Sequence, residues 1–138
     1  NTNIQEVIKN IQTHHKSNWL TDEYYEILKK VKEYKKPNIN FELLSIELWD
    51  KSKTVLIAGE IGYKIGSTYT SLTGFCLKEK EYNNFGKLQM VLLALYLQKN
   101  NYSFWNLGHP YMQYKFDLGA ISFSREEFLK RWLKGISI

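Results

Sequence analysis

The sequence predicts one α/β (α+β) domain, built as a mixed, mostly antiparallel sheet flanked by helices. Two observations predict it. Strand-like runs over Phe41 to Trp49, Thr54 to Ile65 and on through Phe75 follow one another with only turn-length breaks, as in an antiparallel sheet. Helical spacing of apolar residues appears before these runs, between them and the later short strands, and at the end of the chain. A length of 138 residues suits a single core, so residues 1–138 are taken as one domain.

Ile4, Val7, Ile8 and Ile11 set the first helix. The polar stretch "THHKSNW" interrupts it, and "TDEYYEILKKVKEYKK" gives the second. Thr21 is placed to cap that helix, Asp22 and Glu23 suit its first turn, and Pro37 marks its end. Tyr24, Leu28 and Val31 are expected to face inward. "DKSK" separates the first two strands. The segment "AGEIGYKIGSTYTSLTGF" alternates like a strand yet holds Gly59, Gly62, Gly66 and Gly74. Glycine weakens a strand, so these positions suggest a sheet thinned for close approach, with Gly59 and Gly62 admitting a substrate backbone. The alternative is two strands joined by a plain turn.

"LKEKEYNN" is a charged connector. Leu88, Val91, Leu92, Leu95 and Tyr96 then define a long amphipathic helix. "YSFWNL" is a short strand and "GHP" breaks the chain. "YMQYKFDLG" is a short helix closed by Gly119, and "AISFS" is a strand. "SREEFLKRWL" is the last helix, with Ser124 and Glu127 spaced as a capping box.

Composition excludes several classes. Hydrophobic residues at 43% and charged residues at 24% belong to a folded chain, and aromatics at 15% leave some for a binding surface. The net charge of +5 is compatible with a phosphate-bearing partner without requiring one. One cysteine, Cys76, excludes an internal disulfide and a four-cysteine zinc site. His14 and His15 lack ligand partners at metal spacing, so no metal is expected. The longest apolar run, Met90 to Leu97, is too short to span a membrane. No leader segment is read in the first residues, and the cytoplasm is the expected compartment.

The element order is similar to the acyl-coenzyme A N-acyltransferase (GNAT) architecture, in which a mixed sheet splays to form a cleft. Three segments resemble, more specifically, the C-terminal catalytic domain of leucyl/phenylalanyl-tRNA–protein transferases, as a divergent member. They are "HHKSNWLTDEY", the glycine-rich strand pair followed by "NNFGKLQMVLLALYLQKNN", and "FWNLGHPYMQYKFDLGAISFSREEFLKRW". The resemblance implies transfer of an aminoacyl group from charged tRNA to the N-terminal amine of an acceptor protein, as in bacterial protein degradation signalling. It implies no cofactor, and aminoacyl-tRNA plus an acceptor protein or peptide as partners. A monomer is expected. The family's separate N-terminal domain is not seen in this sequence.

Residue by residue, Trp19 matches a tryptophan that stacks the terminal adenosine; the alternative is a helix-docking Trp. Asn106 stands where the family has a catalytic aspartate, and Gly108 where it has a glutamine. Asparagine hydrogen-bonds but does not ionise, and Gly108 offers only backbone. His109 is then the substitute base, or an inert surface histidine. Glu60, where the family has an apolar residue, can receive a proton in the cleft; alternation offers instead a solvent face shared with Gly62 and Lys64. Thr70, Ser71, Leu72 and Thr73 occupy the place of an "ESMF" motif and imply a more polar aminoacyl pocket. Asn84 and Lys87 match the Asn and Lys of the turn before the long helix, where amides suit an anion; simple capping by Asn84 is compatible with that role.

Two other functions stay open. One is an inactive relative that binds RNA or peptide, suggested by Asn106 with Gly108. The other is a coenzyme A-dependent N-acyltransferase, against which "NNFGKL" counts, with one glycine where a glycine-rich phosphate loop is needed.

Overall fold

The computed structural model describes residues 2–15, 17, 19–34 and 37–137. Lys35 and Lys36, read from the sequence as the end of the second helix, lie outside these.

Helices α1 (Ile4–His14) and α2 (Asp22–Glu33) come first. Asn3 and Thr21 are their N-caps, each side chain accepting a backbone N–H from three residues on. Three strands follow, β1 (Phe41–Trp49), β2 (Leu56–Ile65) and β3 (Thr68–Cys76). A 3-10 turn at Lys80–Tyr82 leads to α3 (Phe85–Lys99). The chain ends with β4 (Phe104–Asn106), α4 (Gln113–Asp117) and α5 (Arg125–Ile136). The sheet order is β1-β2-β3-β4, antiparallel except for the parallel β3–β4 pair, so the fold is α+β with a mixed open sheet.

Each face of the sheet has its own core. On one face Val7, Ile8 and Ile11 of α1 pack with Leu20, Leu28, Leu43, Ile61 and Phe75. On the other, Leu93 and Leu97 of α3 pack with Tyr69, Leu44, Ile46 and Trp105. Leu43 and Leu44 on opposite sides follow directly from the two-residue period of a strand.

A register shift between Ile61 and Gly62 alters that period. Ile61 opposes Thr73 while Gly62 opposes Ser71, so β3 carries one extra residue at Leu72. The extra residue reverses which side chains point where. Phe75 packs on the α1 face, whereas Tyr69, also an odd-numbered residue, packs on the α3 face.

Several expectations need correction. α3 is the predicted helix, but it turns a different face inward. Gln89, Leu93 and Leu97 are buried, and Leu88, Val91, Leu92, Leu95 and Tyr96 are exposed. The helix is apolar nearly all round, so spacing alone selects no unique stripe. In α2 only Leu28 is buried, and Tyr24 and Val31 are exposed. The "AISFS" segment is irregular rather than a strand, and β2 begins at Leu56 rather than Thr54.

The glycines serve the chain itself. A Cβ on Gly62 would collide with the Tyr69 phenol and the Thr70 carbonyl, and one on Gly59 would press on Phe75, Val7 and the Ile46 carbonyl. They admit neighbouring side chains, not a substrate backbone. Gly66, at φ +56, forms the β2–β3 turn, where an L side chain would be strained.

Candidate functional site

The parallel pairing of β3 with β4 covers Thr68↔Phe104, Tyr69↔Trp105 and Thr70↔Asn106. Past Thr70 and Asn106 the strands part. The chain leaving β4 is held by its own polar groups. Asn106 Nδ2 lies 3.5 Å from Thr70 Oγ1, and Asn106 Oδ1 accepts the Gly108 N–H at 3.0 Å. Gly108 has φ +79, a left-handed turn that glycine adopts without cost. The Lys115 ammonium, from α4, donates to the Leu107 carbonyl at 2.5 Å.

A groove of about 1050 Å³ opens between one flank of α3 and the β4–α4–α5 segment. Val91 and Leu95 form its α3 wall, and Trp105 and Phe128 stand opposite. Asn106, Gly108 and His109 line it, together with Lys115, Arg125 and Arg131. The arrangement combines apolar walls with an amide, an imidazole and three cations. It suits a ligand with an apolar portion and an anionic or carbonyl-bearing end.

The other sequence candidates take different places. Thr70 is buried beside Asn106, and Leu72 packs on the α1-side core. Thr73 opposes Ile61 in the sheet. None of these three lines the groove. Trp19, 47% exposed, sits on the α1–α2 connection with its ring edge-on to Tyr24 at 5.0 Å. Asn84 precedes α3 at φ +69 and makes no side-chain cap, so the capping expected of it is not made. Lys87 is exposed in the first turn of α3. Trp19, Asn84 and Lys87 therefore lie apart from the groove lining. His109 is exposed, its ring 5.1 Å from that of Tyr111.

Glu60 is not on a solvent face. β2 is an inner strand with α1 over one side and α3 over the other, and Glu60 is only 9% exposed. Its Oε1 accepts the Tyr69 hydroxyl at 2.7 Å and the Ser71 hydroxyl at 2.8 Å. The Trp105 indole N–H donates to Ser71 Oγ at 2.9 Å. Both Tyr69 and Ser71 share the face of Glu60 because of the extra residue at Leu72.

Burial pushes the Glu60 carboxyl above its ordinary range, against the two hydroxyl bonds and the Lys115 charge, which pull it down. Burial also lowers the Lys115 ammonium, with Glu60 opposing that shift. Burial and the charge of Glu60 raise the phenols of Tyr69 and Tyr114. Tyr69, Trp105 and Lys115 were not candidates from sequence. The available signal was an ionisable residue in an apolar, inner strand.

Among the described residues no group of three or more His, Cys, Asp or Glu is placed to hold a metal ion. No helix among them is long and apolar enough to cross a membrane.

Fold and groove together define an α+β domain with a cleft between α3 and the β4–α4–α5 segment. The family described as leucyl/phenylalanyl-tRNA protein transferase matches residues 1–133, nearly the whole chain, and the chain belongs to that family. No curated protein matches it.

Proposed function

We propose that this domain transfers an aminoacyl group from charged tRNA to the N-terminal amine of a protein, using the groove beside β4. The observation that carries this reading is the family match over residues 1–133. The groove adds physical support, since Asn106, Gly108 and His109 lie together on it. The ester of a charged tRNA is already activated. The protein then has to hold the ester, orient the amine, receive a proton and stabilise an oxyanion.

In this reading His109 receives the proton, being an exposed imidazole on the groove. Asn106 Nδ2 and the backbone near Gly108 hydrogen-bond the ester carbonyl. Lys115, Arg125 and Arg131 supply positive charge for the phosphates of the acceptor end. Trp19 stacks a base, and Asn84 with Lys87 at the start of α3 receives a further phosphate. Glu60 supports the site from below rather than meeting the amine, because it is buried and does not line the groove. The same reading takes the α+β domain as a GNAT-type acyltransferase fold.

Incubation with tRNA charged with single amino acids and an acceptor peptide, followed by mass analysis, tests the reading. Addition of one residue supports it, and an unmodified peptide with every charged tRNA rejects it. A second reading, an inactive tRNA-binding relative, is favoured by one observation. Asn106 stands where an acid is expected, and its amide is already spent on Thr70 and Gly108. Salt-sensitive tRNA binding without transfer would select that reading.

A further inference from the structure

Trp105 forms part of the groove wall, yet its strand is short. β4 meets β3 over only three residue pairs, so the backbone ladder alone gives the wall little support. A side-chain chain adds to it. The Trp105 indole N–H donates to Ser71 Oγ, and Ser71 Oγ donates to Glu60 Oε1.

A hydroxyl carries one proton and two lone pairs. Once Ser71 commits its proton to Glu60, a lone pair is fixed toward the indole. Without an acceptor on β2 the hydroxyl would rotate, and the indole would lose its oriented partner. Tyr69 gives a second hydrogen bond to the same carboxylate oxygen, which holds the acceptor itself in place. Among the described residues Glu60 makes no ion pair, although it is buried. A buried carboxylate without a paired cation is costly. An apolar side chain at position 60 would avoid that cost, but it would leave the Tyr69 and Ser71 hydroxyls without this acceptor.

We propose that Glu60 is a positioning residue which, through the Ser71 hydroxyl, fixes the Trp105 indole as a wall of the groove. The relay stands on the structure alone; its bearing on substrate rests on the function proposed above. Glu60 touches no substrate in this account. It acts on the groove from the adjacent strand.

The test compares the parent protein with E60Q, E60L and S71A, with W105F used to assign the indole signal. The first readout is the Trp105 indole N–H by nitrogen-15 NMR. Glutamine keeps an acceptor oxygen and should leave the signal near its parent position. E60L and S71A should shift it and speed its exchange with solvent about tenfold, the loss of roughly one hydrogen bond. The second readout is binding of 3′-deoxy-3′-(phenylalanylamino)adenosine, a stable amide analogue of the charged tRNA end. Its Kd should rise about tenfold in E60L and S71A and stay near the parent value in E60Q.

An indole signal unmoved in E60L, or E60Q behaving like E60L, overturns the relay. If S71A moves the signal and E60L does not, Ser71 acts alone and the proposal also falls. E60A, which removes the acceptor with a smaller side chain, is read in the same way and covers the case in which E60L does not fold. A loosened indole without loss of probe affinity, or a parent that does not bind the probe, counts against the groove as the aminoacyl site while the relay stands.

Discussion

The Tyr69 hydroxyl donates to the Glu60 carboxylate at 2.7 Å inside the sheet–α3 layer, joining two neighbouring strands through their side chains. Tyr69 is fully buried, so neither partner has water to fall back on. Y69F removes the donor and leaves the carboxylate with Ser71 alone. A loss of about 1–3 kcal/mol is expected, read from urea unfolding. An unchanged midpoint would mean that the bond contributes nothing.

Glu60 also makes stability depend on pH with a definite sign. Its folded carboxyl titrates above the ordinary value of 4.5. The folded state thus holds the proton more tightly than the unfolded chain. The resulting stability is fully present below the unfolded value and is lost as pH rises through the folded one. E60Q never acquires a charge and should lack this fall. Unfolding free energies of parent and E60Q, measured upward from pH 4.5, should diverge in favour of E60Q.

Glu47 has the opposite sign. Burial works to raise its carboxyl, but hydrogen bonds from Ser45, Thr2, Asn3 and Trp49 outweigh this and hold it down to about 2. Its contribution is present above the ordinary value of 4.5 and is lost as pH falls toward about 2. E47Q should flatten acid unfolding across that window. At neutral pH it should cost on the order of 1 kcal/mol, because the carboxylate is partly open to solvent.

The two sides of α3 should respond differently to substitution. Leu93 is 3% exposed and Leu95 is 56% exposed. L93A should cost about 2–5 kcal/mol by opening a cavity against Tyr69. L95Q should stay within about 0.5 kcal/mol of the parent. Equal losses would place Leu95 in the core, as its spacing in the sequence suggested.

Much of the architecture was legible from local chemistry. Thr21 and Ser124 stood where helix caps are needed, and their side chains accept the expected backbone N–H groups. The boundaries of β1 followed from its apolar run, whereas "YSFWNL" was read as a strand over six residues and β4 keeps only Phe104–Asn106. Phe85–Lys99 was legible as a helix but not in its orientation, because nearly every turn is apolar on several sides. Two sheet faces each need a layer, and only the fold decides which stripe serves. "AISFS" alternates like a strand, but it has no partner there and stays irregular.

For the site, Asn106, Gly108 and His109 were legible by segment, and they lie together on the groove. Glu60 was read as a cleft acid or a solvent-face residue, and it is buried instead, because two helices cover the two sides of its strand. The Tyr69–Ser71 contribution was illegible for a sharper reason. One extra residue at Leu72 reverses the side-chain alternation of β3, and no pattern of polar and apolar residues announces it. Thr70 to Thr73 were therefore expected as one pocket wall, whereas they divide between two faces.

The three-pair contact of β4 with β3 also has a consequence for how the molecule breathes. β1, β2 and β3 pair along most of their lengths, so their amides should open only with global unfolding. The segment from β4 through α5 is attached by far fewer backbone bonds and should detach as a separate cooperative unit at lower free energy. Native-state hydrogen exchange should show this hierarchy, with Phe104 to Asn106 exchanging well before Ile57 to Ile61. Whatever occupies the groove would then slow exchange on one side of it first, tying ligand affinity to the energetics of a partial opening.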